Sequence, residues 1–171
     1  MPWREALLYD FEDQNAAEWG LLGSAGVVTF ENGSAVDQGG FPGNGSGYFL
    51  VQRRTGPHEN PTSQLDYRGS KRRPVVGGSL VRISADVYSS GSKVQIAVSF
   101  FRADGSSIGN TYPASDWTTL PQIQWLTYSA DVVAPADAAF MAPSLCAQSV
   151  GGDISSWTAW DNVALDVWEA E

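Results

Sequence analysis

One cysteine, one histidine and ten Lys/Arg in 171 residues leave little material for several kinds of chemistry. Cys146 cannot close an internal disulfide, and its neighbours Leu145 and Ala147 mark it as a small buried side chain rather than a reactive thiol. His58 lies between Pro57 and Glu59, beside no nucleophile motif, so it is not read as a catalytic base. No Cys/His cluster has zinc spacing, and no Gly-rich turn follows a strand and opens a helix to cradle phosphate. Nineteen Asp/Glu always contain some chance pair, but no pattern selects two of them as a glycosidase dyad. A catalytic role is therefore not expected.

Basic residues are outnumbered, and the net charge of -9 repels phosphate backbones and anionic membranes. Neither nucleic acid nor a membrane is an expected partner. No apolar run approaches the ~20 residues of a transmembrane helix. The start, Met1-Pro2-Trp3-Arg4-Glu5, lacks the basic-then-apolar layout of a secretory signal, and this leads to the expectation of a soluble protein made in the cytoplasm.

What the sequence does have is 43% hydrophobic and 12% aromatic residues, with 18 Gly and 9 Pro, a composition suited to one domain of short strands and many turns. Period-2 alternation is clearest where Val81, Ile83, Ala85 and Val87 face a core and Arg82, Ser84, Asp86 and Tyr88 face away. After Ser89-Ser90-Gly91-Ser92 the pattern repeats, with Val94, Ile96, Val98 and Phe100 inward and Gln95, Ala97, Ser99 and Phe101 outward. The two runs read as an antiparallel hairpin. Ala103-Asp104-Gly105-Ser106 is a further tight turn, and a strand over Leu126 to Val132 ends before Pro135. Weaker signals lie at 7–11, 27–30, 48–53, 139–147 and 157–168. About eight strands with one-sided patterning predict an all-β jelly-roll sandwich of two antiparallel sheets.

One segment breaks the rhythm. From Arg54 to Ser79 the chain shows hardly any alternation and reads as a long loop. Within 53–73 lie Arg53, Arg54, Arg68, Lys71, Arg72 and Arg73 with only Glu59 and Asp66, so this stretch is locally positive in an acidic chain. It is either a solvated loop or a docking arm for an acidic partner surface, in which case charge reversal at Arg72 and Arg73 abolishes assembly and leaves the fold intact.

Sugar recognition needs aromatic faces for pyranose rings and polar groups for hydroxyls. Tyr88, Phe101, Tyr112 and Trp117 are the stacking candidates; Arg82, Asp86 and Gln95 are the hydrogen-bonding ones. Trp117 stands first among them, with covering the core or meeting a protein partner as its alternatives. Trp125, Trp157, Trp160 and Trp168 fall in or beside predicted strands and read as internal packing.

Several stretches together resemble the carbohydrate-binding modules of the family 4, 9 and 22 group. They are Leu8-Tyr9-Asp10-Phe11-Glu12 with Trp19 soon after, the run from Pro74 to Tyr88, Phe101-Arg102-Ala103-Asp104-Gly105-Ser106, Trp125-Leu126-Thr127-Tyr128-Ser129, and Trp160-Asp161-Asn162-Val163-Ala164-Leu165. The resemblance implies a non-catalytic jelly roll that holds glycans on a sheet face or in loops at one end. It also implies a structural calcium tying the first strand to the last, for which Glu12 and Asp161 match, with Asp10 a further contributor. Similar modules occur as tail or capsid-surface proteins of bacteriophages. The expectation is thus a virion surface protein, attached to a capsid or tail protein, with a weak glycan site multiplied by copy number. The alternative is a polysaccharide-binding module of a secreted glycoside hydrolase, which is extracellular. Self-association into a homo-oligomer is compatible with either and specified by nothing in the sequence.

Overall fold

Alternating side chains become two stacked sheets in the computed structural model, which describes residues 2–11, 19–23, 28–33, 49–54, 62–67, 72–89, 92–113, 118–119, 124–149 and 157–169. Thirteen strands run through them: β1 (Trp3–Tyr9), β2 (Trp19–Gly23), β3 (Val28–Gly33), β4 (Phe49–Arg54), β5 (Thr62–Tyr67), β6 (Arg73–Pro74), β7 (Leu80–Ser89), β8 (Ser92–Phe101), β9 (Ser107–Thr111), β10 (Thr118–Thr119), β11 (Leu126–Val133), β12 (Phe140–Ser149) and β13 (Trp157–Trp168). No helix occurs among the described residues. A six-stranded sheet has the order β11-β7-β13-β4-β3, with β1 also on β13; a seven-stranded sheet has the order β10-β8-β12-β5-β2, with β9 on β8 and β6 on β12. Every pairing among them is antiparallel. The all-β jelly-roll sandwich is the observed architecture.

Two expectations change. β7 and β8 do not pair as a hairpin: between Ser89 and Ser92 the chain passes from one sheet to the other, β7 lying between β11 and β13 and β8 between β12 and β9. Both strands alternate as expected, but their inward sides face one another across the core, so their outward sides lie on opposite surfaces of the molecule. The second change concerns 54–79, which is not a strandless loop. It contains β5, hydrogen-bonded between β12 and β2, and the short β6.

Two long strands organise the sandwich. β13 keeps β7 along one edge and divides its other edge between β4 (Trp157–Trp160) and β1 (Val163–Trp168), with a bulge from Asp161 to Ala164. Asn162 within the bulge takes a left-handed conformation at φ 46°, which asparagine tolerates better than most residues. β12 likewise holds β8 along one edge while the other changes partner from β6 to β5. Pro143, which has no N–H to give, stands at that interruption of the ladder.

The core between the sheets is filled by Trp160, Phe11, Phe100, Ile83, Ile96, Met141, Leu145 and Leu165, all fully buried. Tyr9, Phe11 and Trp19 close part of it with ring centroids 4.7–5.8 Å apart. Trp160 packs internally as the sequence predicts, whereas Trp125 leans on Tyr88 outside the main core and Trp168 meets Trp3 edge to face. Cys146 is buried, as its apolar neighbours suggest.

Candidate functional site

The crossing between β7 and β8 divides the candidate sugar-contacting residues. Arg82, Asp86 and Tyr88 lie on the outward face of the six-stranded sheet; Gln95 and Phe101 lie on the outward face of the seven-stranded one. They do not form one site. Trp117 lies outside the described residues.

On the six-stranded face the three candidates are engaged within the molecule. Arg82 grips the Asp131 carboxylate through Nε at 2.7 Å and Nη2 at 2.9 Å, and its guanidinium stands 4.1 Å from the Trp3 ring centre. That pairing holds the Asp131 carboxyl below its ordinary value. The neighbouring Asp166 carboxyl is raised by desolvation, which outweighs the opposing pull of Arg82. Asp86 accepts hydrogen bonds from Thr127 Oγ1 at 2.6 Å and Asn162 Nδ2 at 2.9 Å. Tyr88 is buried with Val51 and Ala159 beneath Trp125. This face is tied together by its own side chains.

The seven-stranded face differs. Its centre is made of small outward residues, with Ala97 opposite Ser144 and Ser99 opposite Ala142, and Gln95 opposite Cys146 further along. All six are buried. Towards β9 the surface opens. Ser99 Oγ donates to Asn110 Oδ1 at 2.6 Å, and Asn110 Nδ2 donates to Tyr112 Oη at 3.2 Å, so the Tyr112 ring is held on this face while remaining 39% exposed. Two residues along β8 from Ser99, the half-buried Phe101 carries the Arg72 guanidinium over its ring at 3.5 Å. Tyr112, Phe101, Asn110 and Arg72 thus supply two rings, an amide and a cation to one surface. Asn110 was not singled out in the sequence because its importance comes from the cross-strand pairing with Ser99.

Two arginines of the basic segment make contacts within the molecule. Arg72 donates through Nη1 to Gly105 O at 3.3 Å besides stacking on Phe101, and Arg73 donates through Nε to Ala6 O at 2.9 Å, bridging the two sheets. Charge reversal at these two positions would remove these internal contacts together with any docking charge. Arg68 and Lys71 lie outside the described residues, and Arg53 and Arg54 belong to β4.

For calcium, the donor set fits in part. Asp161 is fully buried at the bulge where β4 gives way to β1, and its Oδ1 accepts the Asn162 N–H at 2.7 Å. Asp10, just past β1, is exposed, and Glu12 lies outside the described residues. Among the described residues no three metal-ligating side chains converge.

No family model matches this sequence, and no curated protein matches it significantly. Solved structures are similar in fold. The enzymatically active domain of bacteriophage CBA120 tailspike protein 4 superposes with a TM-score of 0.63 at 15% identity, over 93% of this chain and 20% of the tailspike chain. The family-22 module and family-10 hydrolase modules of Clostridium thermocellum endo-1,4-β-D-xylanase 10B, solved with xylohexaose, give 0.66 at 16% identity, over all of this chain and 30% of the other. The second family-22 xylan-binding domain of Paenibacillus barcinonensis Xyn10C gives 0.64 at 20% identity, over 95% of this chain and 99% of that domain. This chain therefore spans a fifth of the tailspike chain and under a third of the xylanase chain, but nearly the whole of the isolated domain. It has the β-sandwich fold of the family-22 carbohydrate-binding modules.

Proposed function

We propose that this protein is a non-catalytic glycan-binding β-sandwich whose contact surface is the outward face of the seven-stranded sheet around Tyr112, Asn110 and Phe101. The observation that carries this reading is the exposed Tyr112 ring held in place by the Ser99–Asn110 relay. An ordered ring beside amide and hydroxyl groups suits a pyranose, which presents an apolar face and polar edges. The xylan-binding domain of the same fold supports it. A glycan array, followed by calorimetric titration with xylohexaose and the array's best ligand, tests it. Tyr112→Ala should weaken binding at least about tenfold, a loss of ~1.4 kcal/mol, without moving the melting temperature. Wild-type protein that binds no glycan overturns the reading.

The setting we infer is a virion surface, with the protein attached to a capsid or tail protein and the glycan site touching the host weakly; the fold likeness to a phage tailspike favours it. A module of a polysaccharide-degrading enzyme is the equal alternative, favoured by the likeness to the xylanase module. Co-purification with phage particles supports the first and sinks the second. A calcium ion held by Asp161 and Glu12, with Asp10 contributing, belongs to the same proposal; bound there it supplies a charge that ties β1 to β13.

A further inference from the structure

Arg72 lies on the proposed glycan face because of strand alternation. It precedes β6, whose Arg73 is opposite the inward, fully buried Met141 and reaches between the sheets to Ala6 O. Alternation sends Arg72 to the outward side, where it stacks on Phe101 and makes a long bond to Gly105 O. Its Nε is buried and has no hydrogen-bond partner among the described residues. A guanidinium so placed has given up water on one edge and received no acceptor in return, which is unfavourable until one arrives. The molecule contains its own comparison: Arg82 uses the same Nε and Nη2 edge to hold the Asp131 carboxylate in a two-pronged grip.

We propose that this face takes a carboxylate-bearing glycan, a chain containing uronate residues, and that the Arg72 guanidinium pairs with the carboxylate. The inference rests on the glycan-binding reading and names the class of sugar. Along β8 the outward positions Phe101, Ser99 and Ala97 are spaced about 7 Å apart, so Arg72, Asn110 and Tyr112 lie along a path on the order of 13 Å. That path gives an anionic anchor at one end and an aromatic ring at the other. The net charge of -9 opposes an acidic ligand, but exposed charges beyond about 8 Å are screened at physiological salt, so that opposition is weak beside a direct contact with Arg72. Asp104, beside the Gly105 carbonyl that Arg72 reaches, accepts the Ser106 N–H, and Asp137 is paired with Arg102.

The test uses matched probes: homogalacturonan oligosaccharides with free carboxylates, the same oligosaccharides fully methyl-esterified, and the uronate and neutral chains of a glycan array. The free acids should bind at least about tenfold more tightly than the esters, and uronate chains should lead the array. Arg72→Gln should remove the difference between acid and ester; Arg72→Lys, which keeps the charge and loses the fork, should restore part of it. Because the ester comparison leaves the protein unaltered, it decides the matter even if Arg72→Gln unfolds. Equal binding of acid and ester, with array ligands still lost in Tyr112→Ala, overturns the uronate inference alone. Silence towards every glycan overturns both readings.

Discussion

At Gly77 the backbone passes so close to the segment after β11 that a Cβ there would stand 2.1 Å from Ala136 O and 2.8 Å from Pro135 O. Both obstacles are main chain and neither has a rotamer with which to move aside. Gly77→Ala should therefore cost about 1–3 kcal/mol, read as a melting temperature lower by several degrees, since overpacking forces backbone shifts. An unchanged melting temperature would show that the 77–79 turn and the 135–136 segment separate freely. Asn162 is a second residue whose identity follows from its position. Its N–H meets Asp161 and its side-chain amide meets Asp86, so one neutral residue stands between two carboxylates that the register sets opposite one another. Without that amide the like charges would face each other directly, an arrangement that destabilises a strand pair.

Among the elements, β13 does most to join the sheet, because it changes neighbours from β4 to β1 at the bulge carrying Asp161. A cation held at that point by Asp161 and residues following β1 would connect three strands at the position where the ladder is interrupted. If the proposed calcium is bound, a chelator should lower the melting temperature by several degrees, since a ligand that binds only the folded state stabilises it by mass action, and added calcium should reverse the loss. Identical melting curves with and without chelator would remove calcium from the account. The outward face at the other end of β13 needs no ion. There Asp131 on β11, Arg82 on β7, Trp3 on β1 and Trp168 on β13 form a continuous tie across four strands. That engagement is why the six-stranded face, despite its arginine and tryptophans, is read as structural.

For the whole molecule, the opposed shifts of two carboxyls set the response to acid. Asp131 is held low by Arg82, so its contribution is present above the ordinary carboxylate value of about 3.9 and is lost as the pH falls through its lower folded value. Asp166 is raised by desolvation, so its charged form penalises the fold, and that penalty is relieved as the pH falls from neutrality through its raised value towards 3.9. The excess negative charge also declines over this range. Stability should rise as the pH falls from neutrality through the raised Asp166 value towards 3.9, and should fall below about pH 3.9 as Asp131 takes up its proton. Melting curves from pH 3 to 8 check this, and Asp166→Asn should flatten the gain that precedes the acid loss. A curve that falls steadily from pH 7 would refute the assignment.

The eight strand signals in the sequence all became strands, because side-chain alternation is a local property of an extended backbone and survives whatever the strand pairs with. β5 escaped notice since its Thr62-Ser63-Gln64-Leu65-Asp66-Tyr67 carries few apolar positions; it is a strand because β12 and β2 satisfy its backbone on both edges. β2, β6, β9 and β10 are two to five residues long, too short for a pattern to declare itself. Outwardness was also legible: Arg82, Asp86, Gln95 and Phe101 all turn away from the core between the sheets. Which outward surface each one joined was not, because the turn after Ser89 is compatible with a hairpin or with a crossing between sheets, and the choice rests on β11, β12 and β13, 40 to 80 residues further along the chain. The chain's own alternation and turns determined a β-sandwich with a small-residue centre on β8. Long-range pairing alone decided that Arg82 would be bound to Asp131 on one face and that Arg72 would lie on the other beside Phe101, its Nε without an acceptor.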